Sequence, residues 1–312
     1  MSINTYTEKF ELQIRHRCIK MFIKQRLIRM DFKLLFPDER EKGATRFRQC
    51  QLVMLRMFKI FDYLCTKHEI RYFLNGGTLL GAIRHQGFIP WDDDLDVGMT
   101  RENYEKFVQY AAPELPGDIF FQNDETDAHF PPYHIIEAKL RDRYSSYIRS
   151  EEDTSTWLKW QDGLQLDIAV FDRAYLPHNF FIYVMNRALI FFLKQKGNKA
   201  RAKVLKWIER YSPFPLVYAS SYINNIKMIK LGAYYIKPNE VSTLIKTRFE
   251  NMDAYIPSGW HAYLKRRYGN YMQPPPIELQ KGHHSIDIPD PFTPSRHIEI
   301  LHWKERNHFQ SS

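Results

Sequence analysis

The chain has 312 residues, 44% of them hydrophobic and 26% charged, with a formal net charge of +9. That apolar content supports a packed core and excludes a disordered, fibrous or low-complexity chain. Three cysteines, Cys18, Cys50 and Cys65, form no CxxC pair, which argues against a cysteine zinc site and for free, packed thiols in a reducing compartment.

The basic balance suggests attraction to anions such as phosphates, nucleic acid or acidic lipid headgroups, and alone selects none of them. Residues 10–34 mix apolar and basic residues at helical spacing. The favoured reading is a solvated helix with a basic outer face; the alternative is a helix lying on an anionic membrane. No secretory pattern precedes it. A break at LFPDER (35–40) leads to an amphipathic helix over 45–68, with Leu52, Leu55, Phe58, Phe61, Tyr63 and Leu64 near one face. IRYFLNGG then reads as a short apolar strand ended by glycines, and residues 78–87 as a short helix. Thr78 stands in its first turn and Gly87 at its stop.

DLDVGM (94–99) is expected as a strand and RENYEKFVQYA as a helix. IIEAKLRDR (135–143) and LQLDIAVFD (164–172) alternate as strands. Beyond Asp172 the chain reads as mainly helical and basic, with an irregular proline-rich tail from Gln273. The most apolar stretch, 179–193, is too short to span a bilayer and contains Arg187. The expected fold class is α/β (α+β): a mixed sheet flanked by helices, with a helical C-terminal region. The expected organisation is a basic extension over 1–40, a catalytic core over 41–173, and a helical region with the tail over 174–312. The expected location is cytoplasmic, with peripheral contact at the inner face of the membrane left open.

The chemistry concentrates in NGGTLLGAIRHQGFIPWDDDLD, residues 75–96. Alternate strand residues share a face, so Asp94 and Asp96 are expected to project together, with Asp92 at the same edge. Crowded carboxylates favour partial protonation unless a divalent cation joins them, and magnesium or manganese is the cation for such oxygen ligands. Gly76 and Gly77 allow close backbone approach, the helix start offers free N–H groups to a phosphate, and Thr78 adds a hydroxyl. Asp167 is the candidate third acid, as a metal ligand or proton acceptor. Lys139 and Arg141, on one strand face, are candidates for neutralising phosphate charge.

Each piece has a plainer reading: an aspartate cluster is often a turn or cap, and a glycine pair is a common turn. Trp91 beside a strand is more often packing than a pocket wall. His283 and His284 are more often solvated than bound to substrate. Tyr268 and Tyr271 either stack on a ligand or anchor the tail. The combination is more specific: apolar-Gly-Gly-Thr, an Asp-x-Asp strand, then a distant apolar-Asp-apolar strand. That order is the mark of the nucleotidyltransferase fold.

FLNGGTLLGAIRHQGFIPWDDDLDVGM resembles the signature of the LicD family, which includes bacterial phosphocholine transferases and is related to the fukutin-type ribitol-phosphate transferases. The similarity extends from about Glu69 through GLQLDIAVFD to YGNYMQPPP at 268–276. The resemblance implies a nucleotidyltransferase-like fold and a CDP-activated alcohol donor, CDP-choline first. It implies transfer of the phospho-alcohol to a hydroxyl of a cell-surface glycan, of lipopolysaccharide, capsule or teichoic acid type, or to its lipid-linked precursor. Asp94 and Asp96 correspond to the metal pair, and Gly76, Gly77 and Thr78 to the phosphate turn; Arg84 and His85 lie in the same signature. The fukutin-related members carry a cysteine zinc site whose cysteines are missing here. The alternatives are ribitol- or glycerol-phosphate as cargo, nucleotidyl transfer to nucleic acid or a small molecule, which the signature disfavours, and a non-catalytic binding protein of the same fold.

Overall fold

The computed structural model of the chain describes residues 32–127, 130, 136–147, 162–175, 184–185, 188–189, 191–193, 195–211, 216–220, 235–280 and 289–294. The basic stretch before Phe32, most of the apolar stretch 179–193, His283 and His284, and Cys18 lie outside the described residues. The chain divides into two compact units, Met1–Pro37 and Asp38–Ser312. Of the first, one helical turn, Phe32–Leu35, is described.

In the second unit the long helix α1 spans Arg46–Lys67, started by Thr45, whose hydroxyl accepts from the Arg48 amide at 3.1 Å. It is buried on more than the one face the sequence predicts: Val53, Met54, Met57, Phe58, Ile60, Phe61 and Leu64 are all in the core, while Leu52 and Tyr63 are only partly covered. Edge-on contacts join Phe58 and Phe61 to Tyr72, with ring centroids 5.8 and 5.1 Å apart. These rings make the helix the centre of the core rather than a lid on it.

The chain then runs through β1 (Phe73–Leu74), α2 (Gly76–His85), β2 (Asp96–Thr100), α3 (Arg101–Lys106), β3 (Ile119–Gln122), β4 (Ala138–Asp142) and β5 (Gln165–Tyr175). One seven-stranded sheet forms in the order β1-β2-β5-β4-β3, with β6 (Leu216–Ser220) on β5 and β7 (Tyr235–Ile236) on β6. Among the described residues only β2 and β5 pair in parallel within this sheet. The expected α/β class with a mixed sheet is what the chain adopts.

Two expectations need correction. The helix after the glycine pair begins at Gly76, not Thr78, and it stops at Gln86 in the left-handed region (φ 57°) rather than at Gly87. Gly87 instead lies against the hairpin: a Cβ there would stand 2.5 Å from Oε1 of Glu250. Among the described residues, the region beyond Asp172 also carries strands that were not expected. It holds α4 (Asn198–Tyr211), α5 (Pro238–Val241) and α6 (Trp260–Tyr268), but also β6, β7 and a separate hairpin of β8 (Leu244–Phe249) and β9 (Met252–Pro257). The hairpin turn carries Glu250 at φ 56° where glycine or asparagine is the usual sign, and that hides it in the sequence.

Candidate active site

The site forms where three pieces meet: the first turn of α2, the segment leading into β2, and the start of β5. The turn comes first. Gly76 has φ +55°, which an L side chain adopts only with strain, and a Cβ on it would stand 2.7 Å from Oδ2 of Asp96. A Cβ on Gly77 would stand 3.0 Å from Oδ2 of Asp92. The two glycines thus clear space for two carboxylates beside the positive end of a ten-residue helix.

Thr78 joins the turn to the strand that follows it. It is buried, and its hydroxyl accepts from the backbone N–H of Asp96 at 2.8 Å. The amide of Asn75 donates to the Asp96 carbonyl at 3.1 Å. Helix start and strand start are therefore stitched together around Asp96.

β2 begins at Asp96, so Asp94 precedes the strand instead of alternating within it. The crowding still arises. Burial pushes the Asp92 carboxyl well above the usual carboxylate range, and the charges of Asp94, Asp96 and Asp93 push it further. Asp92 Oδ2 is buried with no hydrogen-bond partner. Asp93 and Asp94 are buried.

Across the parallel ladder Asp96 is paired with Asp167, and across the antiparallel ladder Asp167 is paired with Lys139. Paired residues on neighbouring strands lie about 5 Å apart and share a face. The Lys139 ammonium stands 3.5 Å from Asp167 Oδ1 and donates to Gln165 Oε1 at 2.8 Å. Lys139 is completely buried, so its charge is matched within the protein. Arg141 is also buried. Its Nε donates to Gln122 at 3.0 Å and its Nη1 to the Gly163 carbonyl at 2.9 Å.

Among the described residues no three His, Cys, Asp or Glu side chains form a ready cage for a metal ion. Magnesium does not need one: it is commonly held by one or two carboxylates with substrate phosphates completing the shell. An all-oxygen, overcrowded set with an orphaned carboxylate oxygen has the chemistry such an ion requires.

The family model described as "LicD/FKTN/FKRP, nucleotidyltransferase domain" matches residues 69–176, which contain the turn, the aspartates, Lys139 and Asp167. The lipopolysaccharide cholinephosphotransferase LicD of Haemophilus influenzae is 30% identical over 267 residues, covering 76% of this chain and 95% of that protein. The chain belongs to the LicD family. A shorter match, 56% identical over 45 residues, is to the human ribitol 5-phosphate transferase FKRP, and covers 14% of this chain and 9% of that protein. An uncharacterized protein of Rickettsia prowazekii is 46% identical over 78 residues, 25% of this chain and 29% of its own.

In this LicD-family chain, α6 closes the site from a distance in sequence. The Tyr263 hydroxyl donates to Asn75 Oδ1 at 2.7 Å, and Arg267 Nη1 donates to the Tyr263 hydroxyl at 3.1 Å. A Cβ on Gly76 would stand 3.5 Å from Arg267 Nη2, so the guanidinium borders the turn. Tyr268 lies within electrostatic reach of Asp96 and Asp92. Asn75, Tyr263 and Arg267 escape a reading of the sequence, because nothing local in WHAYLKRRY points to a turn nearly two hundred residues earlier.

Arg84 is tied down at the other end of α2. Its Nη1 donates to the Tyr271 carbonyl at 2.9 Å and its Nε to His85 Nε2 at 2.9 Å, which makes His85 the neutral tautomer with the proton on Nδ1. Burial lowers the Arg84 pKa, while Asp92 opposes the shift. Burial, then the Arg84 charge, lowers that of His85. Trp91 meets His85 edge-on at 6.2 Å. Tyr271 is buried with its hydroxyl 2.6 Å from His261 Nδ1, so it anchors the tail.

Proposed function

We propose that this chain moves a phospho-alcohol, phosphocholine first, from a CDP-activated donor to a hydroxyl of a cell-surface glycan or its lipid-linked precursor, releasing CMP. That it is a transferase of phosphorus-containing groups follows from its family. The supporting observation is the register that pairs Asp96 with Asp167 directly beside the Gly76–Gly77 turn. Asp94 and Asp96, with Asp92 beside them, would hold a magnesium or manganese ion. When bound, that ion would draw negative charge from the transferred phosphate. The glycines seat the Asp96 and Asp92 carboxylates against the turn, and Arg267 beside it would supply a positive charge to the phosphate. Asp167, balanced by Lys139, is the candidate acceptor for the proton of the attacking hydroxyl. Ribitol phosphate is the second cargo, favoured by the match to the ribitol 5-phosphate transferase FKRP.

The test is CMP release from CDP-choline, CDP-ribitol, CDP-glycerol and CDP-ethanolamine, each with magnesium, manganese or chelator and a crude cell-envelope glycan as acceptor. Metal-dependent CMP from one donor supports the reading and names the cargo. No CMP from any of them, with metal binding measured separately, overturns it.

A further inference from the structure

One segment of the chain is as basic as the whole. From Leu176 to Tyr234 the sequence holds ten lysines and arginines and a single acid, Glu209, a net +9 that equals the charge of the whole chain. α4 lies in this segment. Its inward stripe is Arg201 and Ile208, both buried. Arg201 fixes the helix: Nε donates to the Leu193 carbonyl at 3.1 Å, and Nη2 to Glu105 at 2.7 Å and to the Lys196 carbonyl at 3.1 Å.

Trp207 and Tyr211, four residues apart, lie together on the face beside that stripe. They are 65% and 62% exposed, with ring centroids 5.6 Å apart. Lys203 stands one turn before Trp207, and the Arg210 guanidinium lies 5.6 Å from the Tyr211 ring. The short segment that Arg201 ties to the helix adds Phe191, 68% exposed, and Phe192, whose ring carries the Lys196 ammonium at 4.7 Å.

Large exposed aromatics set among cations on a convex helix face match the headgroup region of a bilayer. Trp and Tyr rings settle there, and lysines and arginines find anionic lipid. Single-stranded nucleic acid instead takes a basic groove lined by stacking rings. We propose that the outer face of α4, with Phe191 and Phe192, docks the protein on an anionic lipid bilayer. The inference does not depend on which alcohol is transferred.

The test uses the full chain, sedimented with phosphatidylcholine vesicles with or without phosphatidylglycerol. Binding is expected only with phosphatidylglycerol, and it should weaken as salt rises. Trp207→Ala with Tyr211→Ala is expected to cut the partition coefficient about tenfold, and Lys203→Glu with Lys206→Glu by about as much. Melting temperature and CMP release from soluble donor should not move in either variant. Should the aromatic variant fail to fold, the exposed lysine pair decides. The proposal is overturned if the wild type ignores phosphatidylglycerol, or if folded variants bind as the wild type does. It is equally overturned if the aromatic variant turns a dimer into a monomer, or if the wild type prefers an RNA oligonucleotide to the vesicles.

Discussion

A methyl group on Gly77 probes the site without changing a charge. The backbone there is ordinary, and alanine is a better helix former than glycine by up to about 1 kcal/mol, so Gly77→Ala should fold normally. Its Cβ would press on the Asp92 carboxylate at 3.0 Å, and CMP release is expected to fall about tenfold or more. Gly76→Ala adds strain at φ +55° and should lose both stability and turnover. Asp94→Asn and Asp96→Asn relieve like-charge crowding, so their melting temperatures should hold or rise while turnover drops roughly a hundredfold; near-normal activity in either would sink the cation assignment. His85 gives a pH signature. Its folded pKa is lowered, so the stability it contributes is complete above the ordinary imidazole value of 6.5 and is lost as pH falls through the lower folded value. Protonation would also set two donors face to face at Arg84 Nε. His85→Gln should therefore flatten the fall of melting temperature between neutral pH and pH 5. An unchanged slope would mean that His85 does not carry it.

The hairpin of β8 and β9 acts as a brace for α2. Glu250, at its turn, accepts from Arg48 Nη1 at 3.1 Å and Nη2 at 2.5 Å, and from the Phe88 amide at 3.1 Å; its own amide donates to the Gln86 carbonyl at 2.7 Å. Glu250→Ala should cost about 2 kcal/mol, since hydrogen bonds to a charged group contribute more than neutral ones, and urea denaturation would measure it. Turnover should fall less than stability, because the brace grips the end of α2 remote from the glycines. None of this was legible in LIKTRFENMDAYIP, where polar residues interrupt the alternation and no glycine marks the turn. The elements that were legible share a physical reason. IRYFLNGG, DLDVGM and LQLDIAVFD are short apolar runs bounded by glycine or aspartate, and burial on both faces enforces that pattern. The pairing of Asp96 with Asp167 could be expected as a partnership but not as a register, because strand order is set by packing far from either residue.

Across the molecule, the site is the exposed end of a polar row that crosses the sheet. Asp96 pairs with Asp167, Asp167 with Lys139, and Lys139 with Gln122, all in register. Asp167, Lys139 and Gln122 are buried, and such a row survives inside a core only when its charges match. The sequence showed alternation at Lys139 and Arg141, but not that both are buried. A double-mutant cycle separates structure from chemistry here. Lys139→Met leaves the Asp167 carboxylate without its buried counter-ion and should cost roughly 3–5 kcal/mol. Asp167→Asn strands the ammonium instead and should also be destabilising. Combining them removes both charges, so the double variant should be more stable than the sum of the single losses predicts, by on the order of 1–3 kcal/mol. Activity should not recover with it, because the double variant restores neutrality but not the proton acceptor. Recovery of CMP release in the double variant would show that Asp167 serves the fold alone, and the acceptor would have to be sought among Asp92, Asp93 and Asp94.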